Sequence, residues 1–439
     1  MASRKHPWRR LALAWLACLV FSPDTTAASV VRVEPLGEGW TLTRDGVPFE
    51  IKGVGGHANL ALAKGLGATT VRTWGVDQLA PRAGEPSLLD VVADHGLQAM
   101  VGLWIGHERH GFDYSDAARV ERQRDEVRAA VRRYRHHPAL LVWGLGNEME
   151  AQPGSEASAR IFRELEVLAR IIKAEDPDHP ICMVVAVGEA AEVAQLRELA
   201  PSIDILGVNA YGSAPNLARD LAAADWTKPY MLTEFGPLGH WEVARSPWGA
   251  PIEPSSEAKA ERYLSTYQRV KSEGAGRCVG TFAFVWGQKQ ETTGTWYGMF
   301  LRSGEKLPSV DAMAYAWSGR WPDNRSPRIH ALDSSARLAR VAPGARLKAT
   351  AEISDPENDA ITADWFVLEE STDIKEGGDR EAEPPHVEGC VLSGSGGTVD
   401  FLAPARPGAY RLFVVVRDGR GGASADNFPF FVETPPPTP

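Results

Sequence analysis

From about residue 49 the apolar positions fall into a repeating order: a short β-rich apolar run, a loop, then a stretch whose apolar residues recur at helical spacing. The short runs are Phe49–Gly53, Thr69–Trp74, Leu97–Ile105, Leu140–Gly146, Ile181–Val187, Ile205–Ala210, Pro229–Thr233 and Val279–Trp286, which predicts eight strands. Between them, helical spacing is clearest over Ser115–His136, Ser155–Glu175, Ala190–Leu199 and Ser255–Glu273, with shorter Ala-rich stretches at Asn59–Lys64 and Leu217–Ala224. Ser115 and Ser155 suit N-caps, and Pro177 and Pro201 follow helix ends. Strands alternating with helices imply parallel pairing through right-handed crossovers. Eight such units over about 270 residues fit a closed (β/α)8 TIM barrel, an α/β fold of about 250 residues. A doubly wound open sheet is the rival, and the chain offers it no phosphate-binding turn: Gly53-Val-Gly55-Gly56-His57 lacks the Lys-Ser/Thr that such a loop needs.

The pattern changes at both ends. Val30–Gly53 reads as a hairpin leading in, turning at Arg44-Asp45-Gly46. After Trp321, Pro322 to Pro327 looks like a linker, and the next hundred residues lose helical periodicity. Arg346–Ile353, Ile361–Leu368, Thr398–Leu402, Tyr410–Arg417 and Phe428–Val432 alternate or cluster like strands of an all-β Ig-like sandwich. Arg4, Lys5, Arg9 and Arg10 precede an apolar run from Leu11 to Phe21, with Thr26-Ala27-Ala28 beyond it, the layout of an export signal rather than a membrane span. The expected organisation is a signal peptide over 1–28, a barrel with its hairpin over 29–321, a linker over 322–327, a sandwich over 328–433 and a Pro-rich tail over 434–439. The expected destination is periplasmic or extracellular, with no transmembrane segment once the signal is removed.

Composition narrows the partners. A formal charge of −10 on 439 residues argues against nucleic acid, and loss of the signal would make it −13. The seven arginines of Ser115–His136 are interleaved with Glu121, Asp125 and Glu126, which reads as a paired, solvated face. Eleven of the fourteen tryptophans lie between Trp40 and Trp321, concentrated in the barrel. Cys182, Cys278 and Cys390 are too few and oddly numbered for a disulfide framework and match no zinc spacing.

In a (β/α)8 barrel, chemistry sits at the C-terminal ends of the strands. The fourth ends Trp143-Gly-Leu-Gly-Asn147-Glu148 and the seventh Leu232-Thr-Glu234-Phe-Gly. An isolated glutamate there is ordinarily a helix cap or half of an ion pair. Two on opposite sides of one barrel mouth are what glycoside hydrolysis needs, one to protonate the leaving oxygen and one to attack or activate water. Arg72 on the second strand can hold Glu234 ionised. Tyr211 after the sixth can orient it through its hydroxyl. Asn147 reads equally as a ligand of a sugar hydroxyl or as a helix N-cap. Trp74, Trp104 and Trp286 end strands two, three and eight, while Trp241, Trp248 and Trp296 follow strands seven and eight. Six indoles on one face suit the C–H faces of sugars. His57 is expected to contact the sugar, and His107 and Asp113 to line the cleft after the third strand.

Leu-Gly-Asn147-Glu148 and Thr-Glu234-Phe-Gly resemble the acid/base and nucleophile motifs of clan A retaining glycoside hydrolases, most closely the TIM-barrel domains of family two, over about residues 40–320. The resemblance implies Glu148 as general acid/base, Glu234 as nucleophile, Asn147 as ligand of the sugar 2-hydroxyl, Arg72 and Tyr211 as supports of the nucleophile, and Trp286 as the floor of the sugar subsite. No cofactor or metal is implied. His107-Glu108-Arg109-His110 is one residue short of a zinc helix motif, and Asp355-Pro-Glu357-Asn-Asp359 reads as acidic turn residues ahead of calcium ligands. The expected function is a retaining β-glycosidase acting on a β-linked oligo- or polysaccharide such as a β-glucan. The alternatives are a transglycosylase using the same pair and a non-catalytic carbohydrate-binding surface protein. A glycan or the cell surface is the partner expected for the C-terminal domain.

Overall fold

The computed structural model describes residues 29–434 except 82–83, 150–151, 153 and 376. The stretch expected to be an export signal and most of the Pro-rich tail lie outside the described residues. A small antiparallel sheet leads in, made of β1 (Val31–Leu36), β2 (Gly39–Arg44) and β3 (Val47–Pro48). Eight parallel strands then close into a barrel: β4 (Ile51–Gly55), β5 (Thr70–Arg72), β6 (Gln98–Leu103), β7 (Leu140–Leu145), β8 (Ile181–Ala186), β9 (Ile205–Asn209), β10 (Tyr230–Phe235) and β11 (Cys278–Phe284). Each predicted strand run falls on one of these. Helices cover one face of each strand and the barrel interior the other, so β7 is buried at all six positions.

The helices between them are α1 (Leu60–Gly65), α2 (Leu88–Asp94), α3 (Ala117–Tyr134), α4 (Glu156–Glu175), α5 (Ala190–Leu199), α6 (Leu217–Ala223), α7 (Ser256–Glu273) and α8 (Pro308–Ser318). Two were not expected from the pattern. The seven-residue α2 is short, and α8 buries Val310, Asp311, Ala312, Met313, Ala314 and Trp317 on several sides, which erases an amphipathic period. Ser155 caps α4 as expected, but α3 is capped by Asp116, whose carboxylate accepts from the Ala118 and Arg119 amides, while Ser115 turns back to Asp113. The arginines of α3 pair along the helix and across to α4, where Arg124 meets Glu164 and Arg132 meets Glu175.

The N-terminal sheet plugs the barrel's lower end. Val31 and Leu42 join one apolar cluster with Ile51, Val142, Ile205 and Phe282, and the Trp40 amide donates to Gly276 O just ahead of β11. Closing that end leaves the C-terminal mouth as the opening for ligands.

The second domain packs two four-stranded sheets. One orders β12 (Arg328–Ser334), β14 (Arg346–Ser354), β17 (Thr398–Leu402) and β16 (Val391–Ser395); the other orders β13 (Arg340–Val341), β19 (Ala423–Val432), β18 (Gly408–Arg417) and β15 (Thr362–Glu369). Their inner faces share a core that includes Trp365, Phe401, Leu412, Val414, Phe428 and Phe430. The segment 322–327 is tied to both domains, through Ser326 N to Asp311 and through Arg325 to Glu357.

The two domains meet across a polar, buried seam. Arg411, almost fully buried, donates to Glu370, to Asn427 Oδ1 at 2.7 Å and to Pro251 O of the barrel at 2.9 Å. Beside it, Glu253 of the barrel accepts from Lys259, Thr293 and Asn427. Burial works to raise the Glu253 carboxyl, but Lys259 and Arg411 outweigh it and hold the group low. Ser256 adds a pair of bonds with the Ala425 backbone. Removing one partner of such a network strands the others without solvent, so Arg411→Ala is expected to cost about 3–5 kcal/mol. Urea unfolding followed by tryptophan fluorescence checks this, and a midpoint matching the wild type would contradict it.

Candidate active site

The C-terminal ends of β7, β9, β10 and β5 converge on one cleft of about 840 Å3. As β7 ends, Gly146 (φ 70°) and Glu148 (φ 49°) both take the left-handed conformation, and Glu148 N donates to Val184 O at 2.9 Å. The turn lifts the Glu148 carboxyl over the mouth, at a backbone cost that a side chain bears only where the surroundings hold it. Glu234 lies inside β10, one residue before its end, and not past the strand as the sequence pattern suggested. The strand pairs irregularly there with both neighbours, which turns Glu234 inward.

The two carboxylates have opposite surroundings. Glu234 Oε1 accepts from Arg72 Nη1 at 2.9 Å and Trp74 Nε1 at 3.0 Å, and its Oε2 accepts from the Tyr211 hydroxyl at 2.9 Å. All three partners are donors, and between them they engage both oxygens of Glu234. Among the described residues, the Glu148 carboxyl receives one bond, from Asn209 Nδ2 at 2.7 Å. Burial, and then the negative Glu234 nearby, push its carboxyl above the ordinary range. One carboxyl is thus inclined to keep its proton while the other is held by donors on both oxygens, the difference in surroundings that acid and nucleophile roles require.

Arg72 underlies both. Only 2% exposed, it donates from Nη1 to Glu234 and Thr233 O and from Nη2 to Asn147 Oδ1 at 2.6 Å, with its guanidinium 5.1 Å from the Trp74 ring centroid. Asn147 lines the cleft, and its carbonyl is held by Arg72 and Asn209. It does not cap a helix, since Ser155 does that for α4.

The aromatic face divides. Trp74, Trp104 and Trp241 line the cleft, and Trp104 and Trp241 remain 44% and 56% exposed. Trp286 and Trp296 do not line it: both are fully buried, Trp286 against Phe300 and Trp317, and Trp296 with its indole N–H on Leu238 O. β11 ends at Phe284, and Trp286 then turns behind the barrel wall, its amide on Gly55 O. The ring that the eighth strand offers the cleft is therefore Phe284, edge-on to Trp74 and Tyr211. Trp248 packs on Phe431 of the sandwich.

The expected histidine contacts are also corrected. His57 is exposed and outside the cleft lining. His107 is buried beneath Trp104, ring centroids 4.8 Å apart, and burial, helped by Arg109, pushes it down to about 4, so it is a neutral support for the indole. Asp113 is an exposed turn residue bonded to Ser115.

Several lining residues escaped the sequence reading. Asn209, which donates to both Glu148 and Asn147 and accepts from Thr233 Oγ1, ends an otherwise apolar strand, and that polar interruption was its signal. His240, Glu242, Lys289 and Glu291 come from loops with no motif. Burial raises the Glu291 carboxyl, with Lys289 paired to it at 2.5 Å. Ile374, Lys375, Gly377, Gly378 and Asp379 come from the second domain altogether.

Residues 91–240 match the family model described as Glycosyl hydrolases family 2, TIM barrel domain. The likeness read from the two glutamate motifs therefore holds over β6 to β10, which carry Asn147, Glu148, Asn209, Tyr211 and Glu234. Among solved structures, a β-D-glucuronidase of Dictyoglomus thermophilum is 20% identical, with 67% of this chain and 54% of that one covered, at a TM-score of 0.50. A Bacteroides uniformis β-glucuronidase is 15% identical, over 92% of this chain and 48% of that one, at 0.48. A putative β-galactosidase from Bacteroides fragilis is 18% identical, over 92% and 58%, at 0.49. The chain spans about half the length of these structures. Curated proteins offer no match.

Replacing Glu234 by Gln removes the negative neighbour that helps keep the proton on Glu148. In Glu234→Gln the Glu148 carboxyl is expected to titrate lower than in the wild type, read from its 13C carboxyl resonance; an unchanged or higher midpoint would show that the two groups do not interact.

Proposed function

We propose that this protein is a retaining β-glycosidase that cleaves O-glycosidic bonds of a β-linked oligo- or polysaccharide by double displacement. The observation that carries the reading is the asymmetry of the pair: Glu234 held by three donors and Glu148 raised by burial, in one aromatic-lined cleft. In this reading Glu148 protonates the departing glycosidic oxygen while Glu234 attacks the anomeric carbon. Glu148, now a carboxylate, then removes a proton from water, which releases the sugar and restores both groups. Arg72, Trp74 and Tyr211 keep Glu234 aimed, and Asn147 meets the hydroxyl next to the anomeric centre. Trp104 and Trp241 offer indole faces to neighbouring sugars. An acceptor sugar in place of water would give transglycosylation from the same intermediate. A β-glucan is the polymer we favour. Residues 1–28 are read as an export signal, which places the activity in the periplasm or outside the cell.

Because Glu148 must carry its proton into the first step and its pKa is shifted upward, kcat/KM is expected to decline on the alkaline side above the ordinary carboxylate range.

Defined β-linked polysaccharides and aryl β-glycosides, with the first product's anomeric configuration followed by 1H NMR, test the scheme; inversion would discard it. Glu148→Gln is expected to lose about 10²–10⁴-fold in turnover of substrates with poor leaving groups. Glu234→Gln is expected to lose at least as much on all of them, and full activity there would discard the nucleophile assignment. Glycan binding without release of reducing sugar would favour a non-catalytic binding protein.

A further inference from the structure

The connection from β15 to β16 leaves the sandwich and reaches the barrel mouth, where Ile374, Lys375, Gly377, Gly378 and Asp379 line the cleft that holds Glu148 and Glu234. It is anchored at both sides of that mouth. On the loop after β6, Asp379 pairs with His110 at 2.9 Å, and Arg109 donates to Gly377 O at 3.4 Å. On the loop after β11, Glu381 Oε2 accepts the Thr292 amide at 2.5 Å, while its Oε1 accepts the strap's own Lys375 amide at 3.0 Å. Glu383 pairs with Arg302. Asp373 accepts from Ala382 N at 2.8 Å, closing the strap's base.

Two glycines let it pass. Gly377 (φ +59°) and Gly378 (φ +73°) are both left-handed, and a Cβ there would stand 2.5 Å from Arg109 Nη1 and 2.8 Å from Lys289 Nζ. The left-handed conformation at both positions is one that glycine adopts without strain. Glu381 is 4% exposed, so its charge is carried out of water for the sake of this anchor. Ordering such a segment across a domain boundary costs about 1–2 kcal/mol per residue in backbone entropy, and none of the described residues between Asp373 and Glu383 belongs to the sandwich core.

In the barrel order, β4 and β5 lie between β11 and β6. A strap joined to the loops after β11 and β6 therefore bridges two strands that β4 and β5 separate, and it shares the cleft lining with Trp74. We infer that this strap is a specificity-determining wall of the cleft: it limits how many sugar units of a β-linked glycan can lie beside Glu148 and Glu234. The sandwich domain is then part of the substrate site and not only an appended module. The inference rests on the glycosidase reading above.

The test compares wild type, Glu381→Ala, which frees the β11-side anchor, and Asp379→Ala, which frees the β6-side anchor with less risk to folding. Each is assayed on a β-linked oligosaccharide series from disaccharide to hexasaccharide and on an aryl β-monoglycoside. Releasing either anchor is expected to raise the ratio of kcat/KM for the hexasaccharide over the disaccharide by about tenfold, mainly through KM. A general loss of stability would lower all members of the series together and leave the ratio unmoved. Unchanged ratios in both variants, with the aryl glycoside still cleaved, would overturn the wall and leave the glycosidase reading intact. Failure of the wild type on every probe would instead remove that reading and the strap's proposed role with it.

Discussion

A single buried guanidinium holds the site together. Arg72 lies at the end of β5 with almost no solvent contact, and bringing a charge there costs several kcal/mol unless partners surround it. Glu234, Thr233 O, Asn147 and Asn209 are those partners, and they come from β10, β7 and β9. The requirement to satisfy one cation thus fixes the relative heights of four strand ends. It also bears on the electrostatics: Arg72 pairs directly with Glu234, while on Glu148, whose carboxyl burial and Glu234 raise, the same cation acts only as a lesser, opposing influence.

The rest of the molecule directs access to that point. The N-terminal sheet fills the lower end of the barrel with Val31 and Leu42, so ligands have the upper end. Above it, three indoles and Phe284 supply apolar faces, and the strap from the sandwich supplies a wall. The seam around Arg411 and Glu253 makes this possible, because a wall contributed by a second domain can shape a cleft only if the domains keep a defined relative position.

The legible parts of the sequence were those whose signal is local. Eight apolar runs marked eight strands because a buried parallel strand needs an unbroken apolar stretch wherever it sits. Glu148 and Glu234 stood out because a carboxylate at the close of such a stretch has no packing reason to be there. Arg72 and Tyr211 were visible on the same ground. Trp286 and Trp296 misled for the complementary reason: indoles are used both to pack and to bind, and only the neighbours, Phe300 and Trp317 for Trp286, decide between the two. Phe284, two residues earlier, carried no mark that set it apart from core.

By itself, then, the sequence determined the barrel, the all-β domain after it, and two carboxylates brought to one mouth, since periodicity and strand-end chemistry are properties of neighbouring residues. Tertiary structure alone decided which aromatics face the ligand, how Asn209 links Glu148 to Asn147, and that Lys375 and Asp379, more than two hundred residues from Glu148 along the chain, stand in the same cleft. Those facts depend on which surfaces are covered and on contacts between distant segments, and a linear pattern carries no record of either.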